Sequence, residues 1–245
     1  MERTALITGA GRGIGAVTAQ ELARRGFRAI VNYRTDTAAA ASVVKRIEAA
    51  GGTARAMRAD VRDPGEVDEL VGACPRVDAL ICNANISPPF APLAELSWAD
   101  FAGKITGELA AVFHVTQRVL ALMRKQRGGQ IVYVSSISAG LARPGAIAHG
   151  TAKAALDSFA RHVAAEAGAW GIAVNVVAPG AVRTEGSAAM RTPEVERSLA
   201  RRSVLGRMVD PEDVAAVIGA VVDGGFGAVT GAHIPVDAGA QLIPG

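Results

Sequence analysis

The sequence predicts a single α/β domain: a doubly wound parallel sheet of about seven strands with helices on both faces. Three observations carry this. Short β-branched or apolar runs recur with helix-period segments between most of them, and such alternation belongs to a parallel sheet covered on both sides. A glycine-rich turn follows the first of these runs directly, inside a strand–turn–helix unit. The 245 residues are half hydrophobic and one-fifth charged, enough for one large core, with no composition break to mark a second domain.

Taken in order, the strand runs are Thr4–Thr8, Ala29–Tyr33, Ala54–Arg58, Ala79–Cys82, Gln130–Val134, Ala173–Val177 and His233–Val236. A helix is expected to begin near Ile14, after the glycine turn. The stretch "IEAAGG" stops a helix at Gly51 and Gly52, and "DPEDVAAVIGAVV" starts one after Asp210 with Pro211 at its first position. Connections are expected to be short, apart from the polar, arginine-rich segment 184–208, which reads as a long loop and a candidate lid over a site.

Lys and Arg exceed Asp and Glu by 26 to 23, too small and too scattered a surplus for nucleic acid or an anionic membrane surface. No apolar run reaches roughly 18 residues and no basic-then-apolar leader is visible, so the cytosol is the expected compartment. The two cysteines, Cys74 and Cys82, form no CxxC and have no His-rich neighbour. Two buried thiols are expected, with neither a disulfide scaffold nor a metal site.

"TALITGAGRGIG" sets Thr8, Gly9, Gly11, Gly13 and Gly15 between a strand and the helix opening at Ile14. Glycines there allow a sharp turn and a close approach to a pyrophosphate, whose charge meets the helix N-terminus. Where an NAD-preferring site offers a carboxylate to the ribose, the second strand ends in "VNYRTD", with Arg34 after Tyr33, and Arg12 lies in the turn. Two guanidiniums favour a 2′-phosphate, hence NADP(H) over NAD. Asp36 keeps open the alternative that either arginine merely lies on the solvated rim.

These residues, with "ADV" at 59–61, "CNAN" at 82–85, "VSS" at 134–136, "HGTAK" at 149–153, "NVVAPGAVRT" at 175–184 and "VDAG" at 236–239, resemble the short-chain dehydrogenases/reductases over nearly the whole chain. The resemblance is to the 3-oxoacyl-[acyl-carrier-protein] reductases and polyketide ketoreductases. It implies a Rossmann-type fold in which Asp60 and Val61 hold the adenine, Asn83 with Ala84 lies beside the adenosine ribose, and Pro179, Gly180 and Thr184 cup the nicotinamide. Asn85 stands where the family has glycine, and asparagine tolerates the left-handed backbone such a glycine can adopt.

The family's catalytic set is Tyr, Ser and Lys with a supporting Asn. Ser136 and Lys153 match it; His149 stands at the tyrosine position and Glu108 at the asparagine position. The only tyrosines, Tyr33 and Tyr133, lie elsewhere. His149 and Lys153 are four apart in a helical segment, so both point the same way. An imidazole titrates near pH 6.5, which suits proton transfer; Lys153 would push it toward neutrality while Glu108 would pull the other way. Its nitrogen reaches less far from the backbone than a phenol oxygen.

Three functions stay open at this point. One is an NADP(H)-dependent oxidoreductase acting on a carbonyl or β-keto metabolite, with His149 as proton donor, Ser136 polarising the carbonyl and Lys153 orienting the ribose. A second is a redox-silent dehydratase, cyclase or isomerase using Glu108, His149 and Ser136. The third is a non-catalytic partner subunit. Arg124, Lys125 and Arg127, expected just after the Glu108 helix, fall where carrier-protein reductases present basic residues, although Trp170 replaces a second arginine position. By resemblance the Glu108 and Lys153 helices pack against a second copy in a homodimer or homotetramer.

Overall fold

The computed structural model describes residues 2–242, apart from the side chains at 187, 189 and 190. All seven predicted runs are strands: β1 (Arg3–Ile7), β2 (Phe27–Tyr33), β3 (Ala54–Arg58), β4 (Ala79–Cys82), β5 (Gly129–Val134), β6 (Ile172–Pro179) and β7 (His233–Val236). They form one sheet in the order β3-β2-β1-β4-β5-β6-β7, every pair parallel. The order reverses between β1 and β4, and ligands of open parallel sheets bind at such a reversal, beyond the carboxyl ends of the strands.

Among the described residues seven α-helices accompany the sheet: α1 (Gly13–Arg24), α2 (Thr37–Ala49), α3 (Pro64–Gly72), α4 (Trp98–Gln126), α5 (Ile147–Ala167), α6 (Pro193–Arg201) and α7 (Pro211–Val222). Because strand side chains alternate faces, Leu6 and Leu80 join one core with Val115 of α4 and Leu156 of α5. Ile7 and Ile81 join the other, with Leu22 of α1 and Ile218 of α7. Helix starts are written locally. Asp36 accepts from Ala39 N at 2.8 Å, Ser97 from Asp100 N at 3.1 Å, and Asp210 with Asp213 makes a capping box ahead of α7. Cys74 and Cys82 are free and buried. Among the described residues no helix is long and apolar enough to cross a membrane.

Three expectations need correction. Segment 184–208 is not a structureless loop: it holds a 3₁₀ turn at Glu185–Met190 and α6, which Thr192 and Pro193 initiate. A long irregular connection lies elsewhere, at residues 83–97 between β4 and α4, where Pro-rich sequence gives neither period. The basic stretch at 124–127 does not follow the Glu108 helix; Arg124 and Lys125 are its last turn and complement its dipole. Arg124 also lies over the Trp170 ring, 4.8 Å from its centroid, so the tryptophan holds one of the cations.

Candidate active site

The glycine turn leaves β1 at Thr8 and is fixed from β4. Thr8 Oγ1 accepts from the backbone N–H groups of Asn83 and Ala84, both at 3.0 Å, while Asn83 Nδ2 donates to the carbonyls of Thr8 and Gly9 at 3.0 and 3.1 Å. Gly9 has φ +62°, and a Cβ on it would lie 2.9 Å from Ala84 Cα, so only glycine allows this approach. Asn83 and Ala84 therefore build the turn, and the Asn83 amide is committed to it.

Arg12 caps α1 without a side-chain hydrogen bond, which leaves the first-turn N–H groups of α1 to an anion or water. The turn faces Arg183 and Thr184 across an open crevice of about 470 Å³. Arg34 is exposed at the end of β2, its Nη1 3.9 Å from Asp60 Oδ2. Arg62 is the principal partner of Asp60, and its hydrogen bonds hold that carboxyl at about 2 despite partial burial. Asp36 is spent as the α2 cap, so no free acid ends β2. These features fit the adenosine end of a dinucleotide.

The catalytic end is built on β5, α4 and α5. Ser136 follows β5, and its Oγ accepts from Ser138 N at 3.1 Å, leaving its own proton to donate. Gly150 lets α5 press against this turn, because a Cβ there would meet Ser138 O at 2.8 Å. One turn of α5 separates His149 from the buried Lys153, whose Nζ donates to Val134 O at 2.9 Å. Tyr133 is fully buried with its hydroxyl on Thr116 at 2.8 Å, and Tyr33 sits beside Gly11, so no phenol replaces the missing one.

The departures at 85 and 108 are parts of one buried network. Glu108 Oε2 accepts from Lys104 Nζ at 2.5 Å and from Ile86 N at 3.2 Å, while Oε1 lies 2.6 Å from Lys153 Nζ, an ion pair angled outside hydrogen-bond geometry. Lys104 Nζ also donates to Asn85 Oδ1 at 2.9 Å and to Ile86 O at 2.6 Å. The side chains of Lys104 and Glu108 are 0% and 1% exposed. Asn85 is not left-handed, since the non-glycine residues of positive φ are Arg127 and Ala238. Its value is its side-chain oxygen, which takes one of the three Lys104 protons.

Burial would raise the Glu108 carboxyl, but the Lys153 and Lys104 ammonium groups outweigh it and hold it at about 2. The same burial lowers Lys104, against the pull of Glu108. His149 is pushed down to about 4, first by burial and then by Lys153 and Lys104, whose charges exceed the opposing one of Glu108. The imidazole is therefore neutral at pH 7. Its Nδ1 is buried without a hydrogen-bond partner, and its ring meets Phe90 of the 83–97 connection edge-on, centroids 6.1 Å apart.

Lys104 and Asn85 are the functional residues that sequence reasoning missed as a pair. Lys104, Glu108, Ala111 and Val115 share the buried face of α4. Charges four apart on an otherwise apolar stripe were the available signal.

Residues 9–241 match the family model described as enoyl-(acyl carrier protein) reductase. A 3-oxoacyl-[acyl-carrier-protein] reductase of Synechocystis sp. is 35% identical over 246 residues, covering 98% of this chain and 98% of that protein. Among solved structures, a short-chain type dehydrogenase/reductase from Mycobacterium ulcerans superposes with a TM-score of 0.94 at 28% identity, over 99% of this chain and 91% of that one. A gluconate 5-dehydrogenase from Burkholderia cenocepacia, in complex with NADP and tartrate, gives 0.90 at 28% identity, over 99% and 96%.

Proposed function

The chain belongs to the short-chain dehydrogenase/reductase family, an oxidoreductase family, and on that premise we propose that it is an NADP(H)-dependent enzyme interconverting a small carbonyl or β-keto compound and its alcohol, with His149 at the proton-transfer position. The observation that carries this reading is the pairing of Ser136 and Lys153 with a neutral imidazole one turn before the lysine. The nicotinamide, when bound, supplies or takes the hydride. Thr8, Gly9, Gly11, Arg12, Gly13, Ile14 and Gly15 hold the phosphates, Asp60, Val61, Asn83 and Ala84 shape the adenosine end, and Pro179, Gly180 and Thr184 flank the nicotinamide. Lys153 keeps a donor for the ribose, and segment 184–208 acts as the substrate lid.

At the reacting oxygen, the Ser136 hydroxyl donates a hydrogen bond and the neutral His149 ring can accept the alcohol's proton in the oxidative direction. Donation in the reductive direction requires the imidazolium, which burial disfavours. Glu108 enters as the fixed countercharge of two lysines. An acid–base reaction without hydride transfer is the weaker reading, because a carboxylate held at about 2 has no proton to give at neutral pH. Exposed Phe113 on α4, in a tilted ring contact with Phe159 on α5, supports pairing of these helices with a second copy. Trp170 draws Arg124 away from the basic helix end that an acidic carrier protein would use, which favours a free small molecule as substrate.

The test is product mass from β-keto and ketone substrates with and without NADPH. Gain of one hydride and one proton, matched by NADPH consumption, is expected; conversion without consumption overturns the proposal. Because Arg12 and Arg34 flank the adenosine end, NADPH should bind more tightly than NADH by about 1–3 kcal/mol. Arg34→Ala should cost NADPH more than NADH in a fluorescence titration, and equal losses would refute the 2′-phosphate assignment.

A further inference from the structure

A second cavity, of about 220 Å³, lies beside the residues that follow Ser136 and Gly180. Ile137, one residue beyond Ser136, and Ala181, one beyond Gly180, form part of its wall, so it adjoins both the reacting oxygen's donor and the loop flanking the nicotinamide. The opposite wall comes from α6 and the residues after it, including Leu199 and Met208. The cavity is smaller than the roughly 300–1,000 Å³ of sites that hold drug-sized ligands, so it suits a compact molecule.

Four charged side chains line this otherwise largely apolar space: Arg143, Arg202, Arg207 and Asp237. Two of them are internally satisfied. Arg207 makes a two-pronged ion pair with Asp213, at 2.6 and 2.8 Å. Asp237 turns its oxygens onto Gly239 N, Gln241 N and Gln241 Nε2 at 2.9 to 3.1 Å. The guanidiniums of Arg143 and Arg202 have no ion pair or side-chain hydrogen bond among the described residues, and both are exposed at the cavity mouth. Two uncompensated forked donors on the edge of an apolar cavity are suited to an oxyanion. Arg143 is also close enough to His149 for its charge to help keep that ring neutral, which ties the cavity to the proton-transfer position.

We propose that Arg143 and Arg202 bind a free carboxylate of the substrate, which makes the substrate class a compact oxo or hydroxy acid whose apolar body fills the cavity below α6. This specificity rests on the oxidoreductase reading for its reaction but not for its binding, so it is tested by binding. The protein, alone and saturated with NADP+, which cannot reduce a ketone, is titrated calorimetrically with 4-oxocyclohexanecarboxylate and with the uncharged 4-oxocyclohexanecarboxamide. The acid should bind about 10-fold to 100-fold more tightly, the range expected for hydrogen bonds to a charged group. Arg143→Gln and Arg202→Gln should each reduce that ratio and together abolish it, with the amide's affinity and the melting temperature unchanged. Equal or absent binding of the acid, or a preference that survives the double substitution, overturns the proposal. Displacement of the acid by phosphopantetheine at lower concentration would also overturn it and assign the arginines to a carrier's phosphate. Carboxylate selectivity in a protein that never consumes NADPH would leave this site standing and remove the oxidoreductase reading instead.

Discussion

Glu108→Gln should lower the melting temperature by roughly 6–20 °C. The substitution leaves Lys104 and Lys153 buried beside each other without their shared countercharge, and removing one partner from a buried ion pair costs about 3–5 kcal/mol. For a chain of this size each kcal/mol moves the midpoint by roughly 2–4 °C. Adding Lys104→Met should recover part of the loss, because one unpaired ammonium is gone; recovery stays partial because Asn85 Oδ1 and Ile86 O then lose their donor. Circular dichroism melts of the single and double variants check this, and a loss below about 1 kcal/mol for Glu108→Gln would contradict the network's role. The pH dependence has a definite sign. Glu108 titrates at about 2 in the fold against an ordinary 4.5, so its contribution is complete above 4.5 and is lost as pH falls toward 2. His149, at about 4 against 6.5, acts in the same direction over its own window: the unfolded chain takes up a proton first, so stability falls as pH drops from 6.5 toward 4.

His149→Ala should reduce turnover by about 100-fold to 10,000-fold at unchanged folded fraction, the contribution typical of a positioned acid or base. The pH profile identifies the residue. Alcohol oxidation needs the neutral ring and should be flat at neutral pH, falling only near 4, whereas carbonyl reduction needs the imidazolium and should rise about tenfold for each unit of acidification until about 4. Replacement of His149 by Tyr and of Glu108 by Asn restores the family's pattern on paper but leaves Lys104 buried without its carboxylate. The triple variant Lys104→Met, Glu108→Asn, His149→Tyr should therefore be the better reductase and the better folded one. Both comparisons are read from NADPH consumption with the same ketone. Unchanged turnover in His149→Ala would mean that the imidazole carries no chemistry.

Much of this was written in the chain. The inner strands announced themselves because parallel strands buried on both faces are near-continuous apolar runs, and the glycine turn because only glycine reconciles φ +62° at Gly9 with Ala84 pressed against it. Ser136 and Lys153 were legible only through the family resemblance, which also marked position 149 as the place where a tyrosine is missing. What the sequence could not decide was the meaning of its own irregularities. Asn85 read as a backbone accommodation and Glu108 as a candidate acid, since a residue's protonation depends on what surrounds it. Only the fold carries the 83–97 connection over α4 and α4 against α5, so that Asn85, Lys104, Glu108 and Lys153 share one dry space. In that space two ammonium groups outweigh the desolvation of one carboxyl, while burial and the same two ammonium groups together leave His149 neutral.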